Sequence, residues 1–364
     1  PRKPIAFLTA KRPAEISSSQ PSIMATATIL RVDELSEIFQ DVRPLPQNDG
    51  PDPVCVISYP TSFVVAYDYM RACWKSGEKS LRSLQLSATC LKLNPANYTV
   101  WHYRRVCLDA LGYFDAPNPT VVRDDLKLAA QLGGDNPKNY QIWYHRRALL
   151  DAFNKIDASN LENEFLDSEL QYLAGVLEND SKNYHAWSHR QWLIRTVDQP
   201  TVWDQEMEYA QTLIRKDPRN NSAWNERWFA VHRGKQESLP LDKCRQEADF
   251  ALEGAELDPY NESPFRYLIG LFREQSSNIS SLSAEFYPKV EALRTKLEEA
   301  QRYPMSCVNW TSARIDLLEG IGNESSLTQA ISLATEMADQ YDTIRKKYWM
   351  LRVLQLKEKL PASA

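Results

Sequence analysis

The sequence predicts an all-α fold, a right-handed α-α superhelix in which helical hairpins stack side by side. Three observations predict it. A tryptophan-centred motif recurs about every forty residues, a length that suits one helical hairpin. Apolar residues before each copy recur at threes and fours, as an amphipathic helix requires. Glycine is scarce, with 11 among 364 residues, which disfavours an all-β fold with many tight turns and glycine-rich nucleotide loops.

The motif places an Asn, an aromatic residue four positions later and, in four copies, an Arg seven positions later. The Asn positions are Asn97, Asn139, Asn183, Asn220 and Asn261. The aromatic positions are Trp101, Trp143, Trp187, Trp224 and the degenerate Phe265, with weaker echoes at Trp310 and Trp349. The Arg positions are Arg104, Arg146, Arg190 and Arg227, whereas the fifth copy has Leu268. Positions four and seven lie on one helical face, so they predict the core side of a helix.

Each copy predicts a turn followed by a capped helix. Pro95, Pro137, Pro218 and Pro259 precede the Asn, and proline disfavours the α conformation in the residue before it, which ends the preceding helix. The Asn is a favourable N-cap. We expect the tryptophans to plug the core between hairpins. We expect the arginines to pair with carboxylates of the adjacent hairpin.

A second amphipathic stretch precedes each capped helix and completes the hairpin. These stretches are Leu81–Leu93, Val121–Leu132, Phe165–Leu177, Trp203–Ile214 and Ala248–Leu257. We therefore divide the chain into a leader, an extended N-terminal segment and one solenoid of about seven repeats. The boundaries are 1–30, 31–58 and 59–364. The leader is interpreted as flexible or not native to the protein, with Met24 near the natural start; a targeting peptide is the alternative.

Composition limits the function classes. The net charge is −5, which argues against a general nucleic-acid binder. No apolar run is long enough to cross a bilayer. The six cysteines form no C-x-x-C pair, and we interpret them as reduced core thiols of a cytoplasmic protein.

In a stacked solenoid the second helices run parallel, and their N-termini gather along one edge. Lys138, Tyr140, Lys182, Tyr184 and His185 flank the caps of the second and third copies, so we expect them to cluster there. Cations beside helix N-termini form an anion site, with phosphate as the obvious ligand. The alternative is solvated turn lysines with tyrosines packed between turns, and geometry alone favours that alternative.

Other chemistries receive little support. His185 and His189 are four residues apart on a helix, as two metal ligands would be, but no neighbouring carboxylate or cysteine in the sequence completes a site. We find no nucleophile elbow, Walker motif or dinucleotide fingerprint. The chain by itself does not predict a complete enzyme.

Two flanking signatures and the repeat together carry a family resemblance. The repeat D/N-P-x-N-Y-x-x-W-x-x-R-R resembles the tetratricopeptide-like prenyltransferase α-subunit repeat. Pro44–Val54 and Asp342–Trp349 are similar to the N-terminal and C-terminal signatures of the α subunit shared by protein farnesyltransferase and type I geranylgeranyltransferase. The resemblance runs from about residue 31 to 357.

The resemblance implies a subunit that is active only in an obligate heterodimer with a prenyltransferase β subunit. The β subunit binds zinc, and magnesium assists the diphosphate. The complex transfers a farnesyl or geranylgeranyl group from its diphosphate to the cysteine thiol of C-terminal CaaX proteins, such as small GTPases. No metal ligand is implied on this chain, nor any nucleic-acid partner.

The resemblance also implies roles for individual residues. Lys138 matches a catalytic lysine that neutralises the departing diphosphate. Three residues match a repeat that approaches the diphosphate and isoprenoid: Asn183, Tyr184 and His185. Three others match positions that contact the peptide substrate: Tyr98, Tyr140 and Gln141, of which Gln141 binds the terminal carboxylate. Two alternatives stay open, the α subunit of Rab geranylgeranyltransferase and a non-catalytic tetratricopeptide-like scaffold.

Overall fold

The computed structural model describes residues 26–115, 118–134, 136–155, 165–302 and 307–361. Throughout these ranges the regular structure is helical and no strand occurs, so the all-α prediction is confirmed. The helices described are α1 Leu35–Ile38, α2 Thr61–Ser76, α3 Leu81–Leu93, α4 Tyr98–Ala110, α5 Pro119–Gly133, α6 Tyr140–Asn154, α7 Asp167–Asn179, α8 Tyr184–Val197, α9 Pro200–Lys216, α10 Asn221–Val231, α11 Leu241–Leu257, α12 Ser263–Glu274, α13 Ile279–Glu299, α14 Val308–Ile321, α15 Glu324–Glu336 and α16 Lys346–Glu358.

From α3 onward, consecutive helices pair into hairpins, seven of them within the described residues. The chain divides into two compact units, one ending at Phe165 and one beginning at Leu166. In the first unit α3 contacts α5 and α4 contacts α6. In the second unit α8 contacts α10, α10 contacts α12, and α11 contacts α13. First helices therefore pack on first helices and second on second, which is how a repeat array buries a continuous core.

The predicted caps form as expected. The side chains of Asn97, Asn139, Asn183 and Asn220 each accept a hydrogen bond from a backbone amide in the first turn of the helix that follows. Asn261 also accepts, from the Ser263 amide at 3.1 Å, but α12 begins two residues later rather than one. The aligned Asn thus satisfies the otherwise unpaired amides of a helix start.

The aligned tryptophans are core residues, as predicted. Trp101 is fully buried and Trp224 is 2% exposed; Trp310 and Trp349, the weaker echoes, are buried too. The ring nitrogen of Trp101 donates to the carbonyl of Pro95 at 2.7 Å, and three other repeats repeat this bond at the equivalent carbonyl. Each indole therefore fills the core and satisfies its polar atom.

The same carbonyl also accepts from the next repeat. The Asn139 amide group donates to the carbonyl of Pro95 at 2.7 Å. Asn220 repeats this bond at Ser181, and Asn261 repeats it at Pro218. One turn carbonyl thus joins the tryptophan of its own repeat to the capping Asn of the following repeat. We call this arrangement the turn-carbonyl staple.

Aligned arginines form buried ion pairs with the first helix of the next hairpin, as predicted. The pairs are Arg104 with Asp125, Arg190 with Glu206, and Arg227 with Glu247. Arg146 donates to the carbonyl of Leu126 at 2.7 Å. A buried charge pair is tolerated only when it is well hydrogen-bonded, and the pairs at Glu206 and Glu247 are bidentate.

The first of these pairs includes a histidine. His145 Nε2 lies 3.3 Å from Asp125 Oδ2, and Arg104 binds Asp125 Oδ1 from the other side, with all three side chains fully buried. Burial alone would raise the pKa of Asp125, but the charge of Arg104 and the hydrogen bonds lower it to about 2. Burial lowers the pKa of His145.

The first helices lie close to their predicted positions. α3 coincides with the prediction, Leu81–Leu93, whereas α11 begins at Leu241 instead of Ala248. The predicted start at Phe165 becomes Asp167 in α7. Sequence periodicity locates a helix well but fixes its ends only within a few residues.

The N-terminal part is more ordered than predicted. Residues 31–58 are not wholly extended, because α1 lies within them and buries Leu35. The carbonyl of Thr26 accepts a hydrogen bond from Arg104, and the carbonyl of Leu30 accepts one from Thr89. Packed structure therefore reaches into the predicted leader, most of which lies outside the described residues.

The cysteines correct one expectation. Five are buried, but Cys55 is exposed, so it is not a core thiol. Burial raises the pKa of Cys73 to about 12 and that of Cys244 to about 11. None of the described helices is both long and apolar enough to span a bilayer.

Candidate functional site: the N-terminal edge of the second helices

In the first unit, two tyrosines are held out into solvent beside the caps. Tyr98 is 70% and Tyr140 is 69% exposed, although each begins a helix whose next turn is buried. The hydrogen bond from Asn139 to Pro95 ties the two turns that carry them. The structure therefore brings these two predicted peptide-contacting residues onto neighbouring turns.

Lys138 and Gln141 flank the same cap. The backbone amide of Lys138 donates to the Asn136 side chain at 3.3 Å, and its side chain is exposed. The amide of Gln141 donates to the Asn139 side chain at 3.0 Å, and Gln141 is half-buried. An ammonium group thus stands at the positive end of α6, where an anion is favoured.

The second unit repeats this arrangement at α8. Tyr184 is 71% exposed, whereas the capping Asn183 is buried and accepts from the Ala186 amide at 3.1 Å. The ring of His185 packs edge-on against Tyr184, with 5.7 Å between ring centroids. Burial lowers the pKa of His185, which favours the neutral imidazole.

Lys182 and Tyr184 border a surface cavity of about 310 Å³ between α8 and α10. The rest of its lining comes from α8 and α10: Trp187, Ser188, Gln191, Ser222, Asn225 and Glu226. The side chains of Lys182, the two serines and Asn225 can donate hydrogen bonds, so the cavity can hold a polar group beside an aromatic wall.

Two buried carboxyl groups, those of Glu226 and Glu206, lie beside this cavity. Gln191 Nε2 donates to Glu226 Oε2 at 2.9 Å, and Arg190 holds Glu206. Burial, followed by the nearby charge of Glu206, raises the pKa of Glu226 well above its ordinary value. A raised pKa favours the neutral form of the carboxyl group. Its Oε1 atom has no hydrogen-bond partner among the described residues.

The exposed face of the second helices extends beyond the residues that the motif singled out. Counting from the capping Asn, positions one, five and eight lie on one face beside the core face. In the first unit this face adds Tyr144, which is 60% exposed, and Arg105, whose guanidinium carbon lies 4.6 Å from the Tyr144 ring centroid. The sequence analysis did not identify either residue. Tyr144 lies four residues after Tyr140 and Arg105 lies seven residues after Tyr98, and both spacings place residues on the same helix face.

The other sequence-level candidate, a histidine pair, does not come together. His189 is buried with its Nε2 atom 2.9 Å from Glu169 Oε1, whereas His185 faces Tyr184. Within the part of the chain that the structure describes, no group of three His, Cys, Asp or Glu side chains is placed to bind a metal ion. The carboxylate beside His189 comes from α7 and was not foreseen.

Each unit therefore presents exposed tyrosine and lysine beside a capped helix N-terminus. Lys138, Tyr140 and Gln141 belong to the first unit, and Lys182 and Tyr184 belong to the second. A single cluster that joins the two sets stays a prediction.

The repeats match a known family model. The model for the protein prenyltransferase alpha subunit repeat matches four segments, which are 81–111, 122–153, 166–197 and 203–234. Each segment spans one hairpin of the structure, from α3/α4 to α9/α10.

Similarity to one named relative extends along nearly the whole chain. A Dictyostelium discoideum protein named protein farnesyltransferase/geranylgeranyltransferase type-1 subunit alpha is 37% identical over 323 residues, which cover 88% of this chain and 93% of the relative. The chain belongs to this alpha-subunit family. A relative of the same name from Solanum lycopersicum is 43% identical over 97 residues, 27% of this chain and 26% of the relative.

A solved structure agrees with this alpha-subunit family. A chain described as Candida albicans protein geranylgeranyltransferase-I complexed with GGPP matches with a TM-score of 0.69 and 25% identity, covering 87% of this chain and 98% of that chain. The family membership and this structural match favour the farnesyltransferase/type I assignment over the Rab-specific subunit and the non-catalytic scaffold. They assign the chain to the alpha subunits without separating the farnesyl activity from the geranylgeranyl activity.

Proposed function

We propose that this chain is the α subunit of a heterodimeric protein prenyltransferase that attaches a farnesyl or geranylgeranyl group to the cysteine of CaaX proteins. The observation that carries the proposal is the similarity to a named α subunit across 93% of that relative's length. The exposed lysine and tyrosine edge supports it, because this is the surface that a diphosphate and a peptide would need.

The proposed catalytic contribution of this chain is Lys138. When the bond between isoprenoid C1 and diphosphate oxygen breaks, negative charge builds on the departing diphosphate. An ammonium group beside a helix N-terminus stabilises that charge more in the transition state than in the ground state, which raises kcat. Lys138 has both properties, since it is exposed and immediately precedes the cap of α6.

Three residues of the first unit are proposed to contact the peptide. Tyr98 and Tyr140 offer exposed rings on neighbouring turns, which suit a peptide groove. Gln141 offers a neutral amide, which can donate to the terminal carboxylate without burying a charge. In the second unit, Asn183, Tyr184 and His185 are proposed to face the diphosphate and isoprenoid, with Tyr184 as the most exposed of the three.

The proposal assigns metal binding to the partner subunit. A zinc ion there would lower the pKa of the substrate thiol and deliver it as a thiolate, and magnesium would assist the diphosphate. This chain contributes the positive charge, the hydrogen bonds and the scaffold. We further propose that residues 59–364 act as one solenoid and that the enzyme works in the cytoplasm.

Co-expression with each candidate β subunit tests the proposal. The purified complex is assayed with farnesyl and geranylgeranyl diphosphate and a fluorescent CaaX peptide, with a Cys-to-Ser peptide as the matched control. We expect modification of the cysteine peptide alone, with at least one of the two diphosphates. A stable complex that modifies no CaaX peptide with either diphosphate would leave the non-catalytic scaffold as the better interpretation.

A further inference from the structure

An exposed segment runs through residues 46–58 between α1 and α2, and we call it the strap. Every residue in it is exposed. The strap is fixed at both ends. On one side, Leu45 donates to the carbonyl of Asp68 at 3.0 Å and accepts from Arg71 at 2.9 Å. On the other side, Tyr59 stacks on Phe63, with 4.4 Å between ring centroids. The anchors hold the strap in place without covering it.

Four consecutive residues of the strap expose apolar side chains. Val54 is 106% exposed, Val56 is 64% and Ile57 is 62%, and Cys55 between them is also exposed. Residues 54–57 form one consecutive apolar run. Such a run is the pattern of a segment that is buried on both faces, whereas a segment with one face in water alternates apolar and polar residues.

The strap's main chain is also unpaired. Within the described residues, backbone groups from position 46 to 59 make no hydrogen bond to another backbone group. The Asn48 side chain accepts from the Gly50 amide at 2.9 Å, in a turn where Gly50 has a φ of +85°. Long connections without regular structure are uncommon unless they serve a function. These backbone groups are available for pairing with a second chain.

The charge of the strap limits the kind of surface that it fits. Residues 44–60 include Asp49 and Asp52 but no Lys or Arg. Prolines at positions 51, 53 and 60 keep the segment extended and prevent it from joining a helix. The complementary surface is therefore a narrow apolar groove with a basic or neutral rim.

The geometry points to the strap as a docking segment that lies in such a groove on the partner subunit. This inference rests on the proposed function, which supplies the partner, and it identifies a contact separate from the edge of the second helices. The named relative is itself described as a subunit. An exposed apolar segment of this kind is the pattern expected of a chain that folds to be covered in an assembly.

Cys55 provides a direct measurement. The five other cysteines are buried, so a maleimide reagent reports on Cys55 in the native chain. In the purified heterodimer, we expect Cys55 to react at least tenfold more slowly than in the same complex unfolded in urea. The same complex with Cys55→Ser shows which part of the maleimide labelling comes from Cys55. Native reactivity within twofold of the unfolded rate would overturn the inference.

Photo-crosslinking identifies the chain that contacts the strap. A photoreactive phenylalanine derivative replaces Val56 in the co-expressed complex, and the crosslinked product is mapped by mass spectrometry. A crosslink to the partner subunit supports the inference. A crosslink to a second copy of this chain, or to this chain's own N-terminal residues, overturns it. A prenylation assay on the same preparation tests the proposed function separately, because an active enzyme with a reactive Cys55 refutes only the strap.

A charge series measures the contribution of the apolar side chains. We expect Val54→Asp with Ile57→Asp to weaken subunit association at least tenfold, measured by dilution of the complex. The matched control places the same charges at polar strap positions, Asn48→Asp with Ser58→Asp, and should change association less than threefold. Equal losses in the two double variants would mean that charge alone matters, which contradicts an apolar groove.

Discussion

The second helices of the hairpins carry two neighbouring faces, a core face that is buried and an edge face that is exposed to solvent. On the core face, Trp101 and Trp224 are at most 2% exposed. On the edge face, Tyr98 and Tyr184 are about 70% exposed, although each lies three residues from a buried tryptophan. The core face repeats because each of these hairpins must pack on its neighbour. The edge face changes along the chain, because the fourth copy has Asn221 where the first three have a tyrosine. The exposed tyrosines are therefore confined to part of the repeat array.

The largest effect should come from breaking the core face. Arg227 makes a bidentate ion pair with Glu247 at 2.7 and 2.9 Å, and both side chains are buried. Arg227→Met removes the bidentate partner of a buried carboxylate, which keeps only the hydroxyl of Tyr267 and the ammonium of Lys243. The free energy of unfolding should fall by about 3 kcal/mol. Urea unfolding of the complex, followed by circular dichroism, measures this.

The control is an ion pair on the surface, between the first helices α11 and α13. Lys296 reaches Glu256 at 2.6 Å, but both side chains are exposed. Lys296→Met should cost less than about 1 kcal/mol. If the two variants lose the same stability, the distinction between core and surface pairs is wrong.

The second largest effect should come from a substitution on the edge face, which should slow catalysis and leave the fold intact. Lys138→Ala should slow the chemical step by roughly 30- to 150-fold, or about 2–3 kcal/mol, because the lysine acts on the transition state. Single-turnover rates with prebound isoprenoid diphosphate measure the step. Lys182→Ala has the same position one repeat later and should be milder. If Lys138→Ala reacts at the wild-type rate, Lys138 has no catalytic role and is a solvated turn lysine.

Acid should weaken the core face selectively. The pKa of Asp125 falls from its ordinary 3.8 to about 2 in the folded chain. A lowered pKa stabilises the fold above the unfolded pKa, and that stability is lost as pH falls from about 4 to about 2. The loss amounts to about 2 kcal/mol. Asp125→Asn should remove this part of the pH dependence; an unchanged slope would mean that other carboxylates control acid unfolding.

The smallest effect should come from a single neutral side chain at the edge. Gln141→Ala should raise the peptide KM roughly tenfold, since one hydrogen bond to a charged group is worth about 1–2 kcal/mol. The affinity for isoprenoid diphosphate should hardly change. Steady-state kinetics with each substrate varied in turn provide the test, and equal losses for both would indicate damage to the fold instead.

The repeated core could be predicted from the sequence because its signals are local. The cap, the tryptophan and the arginine of one copy lie within seven residues, and a spacing of three or four places them on one helix face. Even the partner type of Arg190 could be predicted, since a buried guanidinium needs a carboxylate. Which carboxylate pairs with it could not, because Glu206 belongs to another helix.

What the sequence did not predict depends on distant contacts. The pKa of Glu226 is raised first by its burial and then by the charge of Glu206, which α9 brings beside it, and no local pattern indicates either. Nothing in the sequence around Cys55 separates it from the other cysteines, yet it is exposed whereas they are buried. The candidate edge residues were found mainly through a resemblance, because an exposed tyrosine and a packed tyrosine look alike in sequence.

The turn-carbonyl staple has a consequence for how such a chain changes in length. The bond from a capping Asn to the preceding turn carbonyl spans 44, 39 and 43 residues in three places among the described residues. The same two groups are joined in each place, so differences in repeat length are absorbed in the turns and helix ends that lie between the staples. We therefore expect insertions in those turns to leave the staple bonds intact.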